Sequence, residues 1–370
     1  MQISNNADNI NNIDNTNNRA LIAMSGGIDS SVTAFLMREQ GYECIGATMK
    51  LFDDGDDIVT DKTCCSLTDV EDAKSVAYLL GMPHYVFNFK ESFSKEVIAR
   101  FVDAYVNGFT PNPCIDCNRF MKFERLLRRA DELGCHYIAT GHYAQIDRSS
   151  GGRCLLKKGA DEKKDQSYVL YHLTQPQLAR FRFPLGGLTK TEVRQIAAER
   201  GFVNAAKSES QDICFVPDGD YAAYIEKYTG RVFPDGDFID SDGNVLGRHK
   251  GIIRYTNGQR RGLGLSLKEP MYVLDKNTDT NVVTLCAENG LYSKTLTARD
   301  INLSALDKID GRIRVSARAR YNQIEQPAIV EQVGEDELIV EFDAPQRAIT
   351  KGQSVVLYDG DIVIGGGTIV

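Results

Sequence analysis

Apolar residues in the first half of the chain follow two periods, one typical of buried strands and one typical of helices. Ala20–Met24 and His84–Phe89 are short apolar-rich runs, as expected of strands inside a sheet. The segment that follows Pro113 repeats its apolar residues at helical spacing, at Phe120, Phe123, Leu127 and Ala130. Strands that alternate with helices predict a doubly wound, mostly parallel sheet. Such a sheet binds its ligands at the carboxyl ends of its strands.

The same patterns predict where individual elements begin and end. Gly41 is suited to end the first helix, because glycine readily adopts the left-handed conformation of a C-cap. Thr68 and Glu71 have the spacing of a capping box, which predicts a helix start. The predicted strands are Ala20–Met24, Tyr42–Leu51, His84–Phe89 and His136–Ala144, and the predicted helices are Ser31–Gln40, Thr68–Gly81, Ser94–Gly108 and Thr189–Gly201.

Beyond about Tyr228 the pattern changes to short β-like runs separated by tight-turn dipeptides such as Asp235-Gly236. The last stretch, Gly311–Val370, alternates apolar and polar residues and predicts a small antiparallel sheet or barrel. We therefore expect an α/β domain, a small mixed central domain and a C-terminal antiparallel β-barrel. The expected limits are 1–18 for a disordered Asn-rich tail, 19–212 for the α/β domain, 213–299 for the central domain and 300–370 for the barrel.

Composition narrows the classes of function. The 370 residues carry a formal net charge of −8, so a nucleic-acid site would have to be a local patch. No apolar run approaches the roughly 18 residues of a membrane span, and the N-terminus lacks the features of a signal peptide. We therefore expect a cytoplasmic protein without a membrane partner. In that reducing compartment the nine cysteines are expected to be metal ligands, catalytic thiols or core residues rather than a disulfide framework.

The segment Ala23–Ser31, AMSGGIDSS, lies between a predicted strand and a predicted helix and has the chemistry of a phosphate-binding loop. Its two glycines leave room for a ligand, and its serines and the first helical amides can donate to phosphate oxygens. It is not a Walker A loop, because the Gly-Lys-[Ser/Thr] end is missing. Asp29 would repel phosphate unless a cation intervenes, which argues for Mg²⁺ or for a helix-capping role. The alternative is a Ser/Gly turn before a capped helix.

The motif S-G-G-x-D-S resembles the PP-loop of the ATP pyrophosphatase group, which cleaves ATP between the α and β phosphates.

Two cysteines are candidate reactive thiols. Cys117 stands before the predicted helix that carries Arg119 and Lys122, and a helix N-terminus with nearby cations should lower its pKa. Cys214, in the polar segment SQDICFV, is the candidate second thiol.

Metal binding is the competing interpretation of these cysteines. Structural zinc is disfavoured, because Cys114, Cys117 and Cys214 supply three ligands and Cys64-Cys65 are adjacent. An iron–sulfur cluster on Cys114, Cys117 and Cys214 is chemically allowed but not favoured. We expect no structural metal site. Four further cysteines are expected in the core: Cys44, Cys135, Cys154 and Cys286.

Several motifs occur together in one order from about Arg19 to the C-terminus. They are AMSGGIDSSV, TPNPCIDCNRFMKF, YIATGHYA, KKDQSYVLY, SQDICFV, NGQRRGLGL, ARYNQ and KGQSVVLYDG. Together they resemble the bacterial tRNA-specific 2-thiouridylase family. The resemblance implies a sulfurtransferase that adenylates the C2 oxygen of the wobble uridine of tRNA and then transfers sulfur from a cysteine persulfide, releasing AMP and pyrophosphate.

The resemblance also implies roles for individual residues. Cys214 would carry a persulfide received from a sulfur donor protein, Cys117 would release that sulfur or close a disulfide with Cys214, and Mg²⁺ would offset the charge of ATP. ATP would lie against Ala23, Met24, Ser25, Gly26, Gly27, Ile28, Asp29, Ser30, Met49 and Gly141. The tRNA would contact Asn112, Pro113, Cys114, His142, Lys164, Asp165, Gln166, Arg320, Tyr321 and Gln353.

Two features bear on the RNA site. Arg312, Arg314, Arg318 and Arg320 form a basic stripe in the sequence, although a solvated face would give the same pattern. Cys114 stands where some family members have Asp, and a thiol is a weaker match for acid–base work at neutral pH. The competing functions are an adenylating amide or nucleotide synthetase, which would leave both thiols without a role, and a non-catalytic RNA-binding or sulfur-relay protein.

Overall fold

A computed structural model describes residues 18–52, 67–149, 152–205, 207, 213–216 and 218–370. The predicted tail up to residue 17, the acidic run 53–57 and Cys64-Cys65 lie outside the described residues. None of the described helices is long and apolar enough to cross a membrane.

The first domain alternates strands and helices as expected. Its strands are β1 Arg19–Ala23, β2 Glu43–Lys50, β3 His84–Asn88, β4 Tyr137–Ala139, β5 Ala144–Asp147, β6 Leu155–Lys158 and β7 Phe181–Arg182. Its helices are α1 Ile28–Glu39, α2 Leu67–Leu79, α3 Lys90–Phe93, α4 Ala99–Val106, α5 Pro113–Asp116, α6 Leu126–Glu132, α7 Gln175–Arg180 and α8 Lys190–Glu199. A π-helical segment, Ser94–Ile98, joins α3 to α4, and a second one, Cys117–Arg125, joins α5 to α6.

The five-stranded sheet of this domain has the order β3-β2-β1-β4-β7, and all of its pairings are parallel. The predicted doubly wound fold is therefore confirmed. Because the chain winds outward from β1 in both directions, the crevice between β1 and β4 is the switch point at which such sheets bind ligands.

The predicted strand His136–Ala144 is wrong in extent. Strand β4 ends at Ala139, and a loop follows that contains Gly141 and His142. A Cβ atom added at Gly141 would lie 3.0 Å from the backbone carbon of Asp29, so the loop passes close to the start of α1. The run ATGHYA is mostly buried at a sheet edge, and burial alone does not distinguish a strand from a packed loop.

The central domain begins with α9 Tyr221–Thr229, which the Asp220 carboxylate caps by accepting from the Ala223 amide. Its strands are β8 Gly236–Ile239, β9 Val245–His249, β10 Tyr272–Asn277 and β11 Val282–Cys286. They form a mixed sheet of order β10-β11-β8-β9, in which the β11–β8 pairing is parallel.

The C-terminal strands are β12 Tyr292–Leu303, β13 Arg312–Arg318, β14 Gln326–Gln332, β15 Glu337–Arg347, β16 Ser354–Asp359 and β17 Ile362–Ile369. They run in the order β12-β15-β14-β13-β16-β17, and pairing of β12 with β17 closes the predicted barrel. Strand β12 belongs to this barrel from Tyr292, whereas the sequence suggested a boundary at 299/300. The hairpin β5–β6 of the first domain pairs with β17 and thereby attaches the first domain to the barrel.

One buried lysine of the central domain gives a stability prediction. The Lys276 side chain is 8% exposed, and its ammonium makes no hydrogen bond within the described part of the chain. Burial lowers the pKa of Lys276 to about 8. Below that pH the buried charge of Lys276 therefore destabilises the folded protein. Replacing Lys276 with Met should raise the free energy of unfolding at pH 7 by on the order of 3 kcal/mol.

The sign of the pH dependence tests this prediction further. Between pH 8 and 10.5 the unfolded chain keeps a proton that folded Lys276 has lost, so wild-type stability should rise with pH in this window. The Lys276→Met variant should lack that rise, as measured by urea unfolding at several pH values. Lys294→Met, at an exposed lysine, is the control and should retain it. A Lys276→Met protein less stable than the wild type at pH 7 would contradict the prediction.

Candidate active site

The loop from Ser25 to Gly27 follows β1 at the switch point of the sheet. Gly26 has φ of 74°, and a Cβ atom there would lie 2.3 Å from the backbone oxygen of Asp69, so only glycine fits. The Ser30 hydroxyl closes the loop: it donates to the Gly27 carbonyl at 2.9 Å and accepts from the Ser25 amide at 3.2 Å. This compact turn at a helix N-terminus suits a bound phosphate group.

The residues predicted to bind ATP do meet at this edge of the sheet. Ser25 is exposed, Met49 lies near the carboxyl end of β2, and Gly141 follows β4. The side chains of Met24, Ile28 and Ser30 are buried, so these residues can offer a ligand only their backbone groups. Their contact with ATP stays a prediction.

Asp29 lies in the first turn of α1 and does not cap the helix, because Gly27 is the N-cap residue. The helix-capping alternative for Asp29 is therefore wrong. Its carboxylate instead accepts from the Lys190 ammonium at 2.7 and 2.8 Å and from the Tyr143 hydroxyl at 2.8 Å. The sequence did not reveal Lys190 as the partner of Asp29, because Lys190 begins α8 and lies 161 positions further along the chain.

A second group of contacts supports the loop from behind. The Asn204 amide, which is 2% exposed, donates to the Gly26 carbonyl at 2.8 Å and to the Ser31 hydroxyl at 2.9 Å. The Lys207 ammonium pairs with Asp69 at 2.6 Å and with Asp72 at 2.8 Å. The chain segment that leads toward Cys214 is thus bound to both the loop and α2.

The helix that carries Cys117 begins earlier than the sequence predicted. Asn112 is the N-cap, its side chain accepts from the Cys114 amide at 3.1 Å, and Pro113 is the first helical residue. Cys117 therefore lies one turn inside a continuous helical segment, where the field of the N-terminus has weakened. The prediction that Cys117 stands before the helix is wrong, because Pro113 can open a helix as well as stiffen a loop.

The two cations expected to act on Cys117 have other partners. The Arg119 guanidinium donates to the Asp300 carboxylate of β12 at 2.5 and 3.2 Å. The Lys122 ammonium lies 3.4 Å from Nε2 of His142. The lowering of the Cys117 pKa by these two cations stays a prediction.

Cys214 is held in place by its neighbour in the chain. The Phe215 ring is 1% exposed and packs against Phe101 at 5.1 Å, Phe93 at 5.9 Å and Tyr224 at 5.4 Å between ring centroids. Cys117 and Cys214 are both half-buried and pack against the same large apolar core. Within the described residues, no group of three or more His, Cys, Asp or Glu side chains is arranged to hold a metal, so Cys114, Cys117 and Cys214 do not form a cluster site there.

The cysteines expected in the core are mostly found there. Cys44, Cys135 and Cys286 are buried, and burial raises the pKa of each thiol, to about 12 for Cys44. Cys154 is only half-buried.

The exposed Cys114 faces the junction of the first domain with the barrel. Burial raises the pKa of Tyr321, and the nearby charges of Asp165 and Cys114 add to this effect. The Tyr321 hydroxyl donates to the Asp165 carbonyl at 3.3 Å. Asn112, Pro113, Cys114 and Tyr321 are thus close together, with Lys164 and Gln166 in the same segment as Asp165.

Three residues predicted to contact tRNA have buried side chains. Asp165 accepts from the amides of Gly159 and Ser167, and Gln353 donates to the Thr110 carbonyl at 2.6 Å. His142 is 6% exposed and lies 2.6 Å from the Thr140 hydroxyl through Nδ1.

His142 is a neutral core histidine. Burial, followed by the charge of Lys122, lowers its pKa well below the ordinary value. Because an ammonium can only donate, Nε2 accepts from Lys122 and Nδ1 carries the proton given to Thr140. His142 thus connects the thiol-bearing helix to the Gly141 loop.

Three of the four arginines of the predicted basic stripe pair with carboxylates of the barrel. Arg312 pairs with Glu341, Arg314 with Asp343 and Arg318 with Glu325. Arg320 is half-buried and donates to the Thr350 hydroxyl at 2.7 Å. The acidic partners come from β15 and from the loop before β14, which sequence order does not reveal, and the RNA contact of this stripe stays a prediction.

The contact between Gln353 and Thr110 gives a second prediction. This hydrogen bond attaches the barrel to the first domain just before the start of α5, and the Thr110 amide also donates to the Lys351 carbonyl at 2.9 Å. Gln353→Ala should leave the buried Thr110 carbonyl without that donor and lower stability by about 1–3 kcal/mol. Thermal unfolding measures this loss, and Gln323→Ala, at a half-buried glutamine of the same barrel, is a control of equal chemistry. A Gln353→Ala protein of wild-type stability would favour the direct RNA contact instead.

Three family models together match almost the whole chain. Residues 18–218 match the tRNA methyl transferase HUP domain, 222–287 the tRNA methyl transferase PRC-barrel domain and 293–369 the aminomethyltransferase β-barrel domain. A tRNA-specific 2-thiouridylase MnmA of Clostridioides difficile is 50% identical over 354 residues, which is 95% of this chain and 98% of that protein. The chain belongs to the tRNA-specific 2-thiouridylase MnmA family. Two further relatives are each 51% identical, and each match covers 95% of this chain and 98% of the relative. They are an MnmA of Halothermothrix orenii and MnmA 1 of Caldanaerobacter subterraneus.

Proposed function

We propose that this protein is a tRNA-uridine 2-sulfurtransferase, which uses ATP to replace the C2 oxygen of the wobble uridine with sulfur. The main support for this proposal is the combination of two features. A PP-loop lies at the switch point of a parallel sheet, and two thiols, Cys117 and Cys214, pack against one shared apolar core. Because the substrate is tRNA, we expect the reaction to take place in the cytoplasm.

The nucleotide half of the reaction uses the loop from Ser25 to Gly27. Its amides and the Ser25 hydroxyl bind the phosphates of ATP, and the bound uridine attacks the α-phosphate through its C2 oxygen. The α–β bond breaks, pyrophosphate leaves, and C2 then carries an AMP leaving group. Asp29, whose carboxylate is one-third exposed, would hold a Mg²⁺ ion, because Mg²⁺ favours one or two carboxylates together with substrate phosphates. When bound, Mg²⁺ supplies charge neutralisation for the departing pyrophosphate.

The sulfur half of the reaction uses the two thiols in turn. Cys214 receives its outer sulfur from a persulfide donor protein, and that sulfur attacks C2 as AMP leaves with the original oxygen. The Cys117 thiolate then attacks the Cys214 sulfur, which forms a Cys117–Cys214 disulfide and leaves the transferred sulfur on the uridine. A thiol reductant supplies the two electrons that restore both cysteines.

Binding of the tRNA depends on the junction between the first domain and the barrel. A base must leave its stack before it can react, and Asn112, Pro113, Cys114 and Tyr321 surround the place where it would be received. Lys164 and Gln166 contribute polar groups to the same junction, and Arg320 borders it. His142, Asp165 and Gln353 act by fixing the surrounding loops, as their burial indicates.

An assay of defined products tests this proposal against its alternatives. Protein, ATP, Mg²⁺, a persulfide donor, a thiol reductant and an unmodified tRNA with a wobble uridine should yield thiolated nucleoside and AMP in equal amounts. The same tRNA with cytidine at that position is the control and should yield neither. AMP formed without RNA would favour an amide or nucleotide synthetase, and no AMP would favour a non-catalytic binding protein. The descriptions of the family models raise a methylated nucleoside as a further outcome, which would also contradict the proposal.

A further inference from the structure

We propose that Lys190 is a positioning residue of the nucleotide site, which neutralises and orients Asp29 so that phosphate is tolerated beside that carboxylate before a divalent cation binds. This inference rests on the proposed use of ATP and concerns the same loop.

The geometry of the pair is that of a fixed counter-ion. The Lys190 ammonium reaches both carboxylate oxygens, at 2.7 and 2.8 Å, while the Tyr143 hydroxyl donates to one of them at 2.8 Å. The Tyr143 ring also lies 5.7 Å from the ammonium, and the backbone of Tyr143 is held by the Gln166 side chain at 3.0 Å. These contacts define one orientation of the Asp29 carboxylate.

Exposure separates the roles of the two partners. The Lys190 side chain is 10% exposed and the Asp29 side chain 32% exposed, so the ammonium lies behind the carboxylate relative to solvent. Helix α8 holds the lysine rigidly: the Thr189–Glu192 capping box fixes its start, and the Lys190 amide donates to Asp161 at 2.9 Å. A ligand at the loop would therefore meet Asp29 first, with its charge already balanced from behind.

The charge balance explains why a phosphate loop can contain an acid. A carboxylate and a phosphate a few ångströms apart repel strongly where water is partly excluded. Either a divalent cation or a buried ammonium can remove that repulsion. Lys190 supplies the buried ammonium. Nucleotide binding should therefore depend less on Mg²⁺ than it would if Asp29 had no ammonium beside it.

Nucleotide affinity with and without Mg²⁺ tests the inference. The probe is α,β-methylene-ATP, which cannot be cleaved between those phosphates, and calorimetry measures its affinity in EDTA and in saturating Mg²⁺ without tRNA. Lys190→Met should weaken binding in EDTA by at least about tenfold, a change of about 1.4 kcal/mol. Saturating Mg²⁺ should restore most of this loss, because the cation then balances Asp29. Lys190→Arg, which keeps the charge, should stay closer to the wild type in EDTA.

The double variant distinguishes positioning from general damage. Asp29→Asn combined with Lys190→Met removes the repulsion at its source and should recover binding in EDTA relative to Lys190→Met alone. If Lys190→Met does not fold, Asp29→Asn alone still tests the idea: its binding in EDTA should be tighter than wild type, since the negative charge beside the phosphate is removed. Equal losses with and without Mg²⁺, or no recovery in the double variant, would overturn the role of Lys190. A wild-type protein that binds the analogue in neither condition would instead overturn the proposed use of ATP, and this inference with it.

Discussion

Replacing Cys214 with Ser should reduce thiolation of tRNA by at least about 1,000-fold, because an oxygen in place of the sulfur cannot carry a persulfide. Binding of ATP should be unaffected, since the nucleotide loop is built from other residues. The measurement is thiolated nucleoside formed in a single turnover with a persulfide donor, alongside nucleotide affinity. Adenylation should still occur, so the variant should accumulate activated tRNA or release AMP slowly by hydrolysis.

A matched cysteine separates loss of chemistry from loss of packing. Cys286→Ser changes the same atom in a buried cysteine of the central domain and should affect stability rather than the chemical step. Cys117→Ser should differ from both: sulfur should still reach C2, but release from Cys214 should fail, leaving RNA covalently attached to the protein. Undiminished turnover in Cys214→Ser would refute the assignment of this thiol.

Replacing Gly26 with Ala should abolish nucleotide binding and destabilise the fold. The new methyl group would lie 2.3 Å from the backbone oxygen of Asp69, and the φ of 74° is unfavourable for alanine. Because the obstacle is backbone at the start of α2, relief requires movement of the helix or of the loop. We expect a loss of about 3–5 kcal/mol in the free energy of unfolding.

The neighbouring glycine provides the control for that experiment. Gly27 has φ of −90°, and the nearest atom to an added Cβ is the Ser25 hydroxyl at 3.5 Å. Gly27→Ala should therefore unfold at nearly the wild-type temperature, even where it affects nucleotide affinity. Similar melting temperatures for both variants would contradict the account of Gly26.

The sequence predicted what depends on local patterns. The alternation of strands and helices identified the doubly wound sheet, and turn dipeptides with alternating runs identified the barrel. The S-G-G-x-D-S motif predicted a nucleotide loop at the place where the structure has a compact turn at the switch point, because its chemistry lies within nine consecutive residues. Cys117 and Cys214 were chosen in the same way, from the segments around them, and their catalytic role stays a prediction.

What the sequence did not predict depends on contacts between distant segments. The partner of Asp29 lies 161 positions away in Lys190, and no local pattern connects them. The acidic partners of Arg312, Arg314 and Arg318 lie on another strand and in a loop, where the order of the sequence does not reveal them. His142 was predicted to contact RNA, but the fold places it between Lys122 and Thr140 in the interior.

The fate of one oxygen atom tests the central claim most directly. A tRNA that carries ¹⁸O at C2 of the wobble uridine is converted with ATP and a sulfur donor in a single turnover, and the AMP and pyrophosphate are analysed by mass spectrometry. If the C2 oxygen is adenylated and then displaced by sulfur, the label must appear in AMP in proportion to the thiolated nucleoside. Thiolated nucleoside formed together with unlabelled AMP, or with the label in pyrophosphate, would contradict the account.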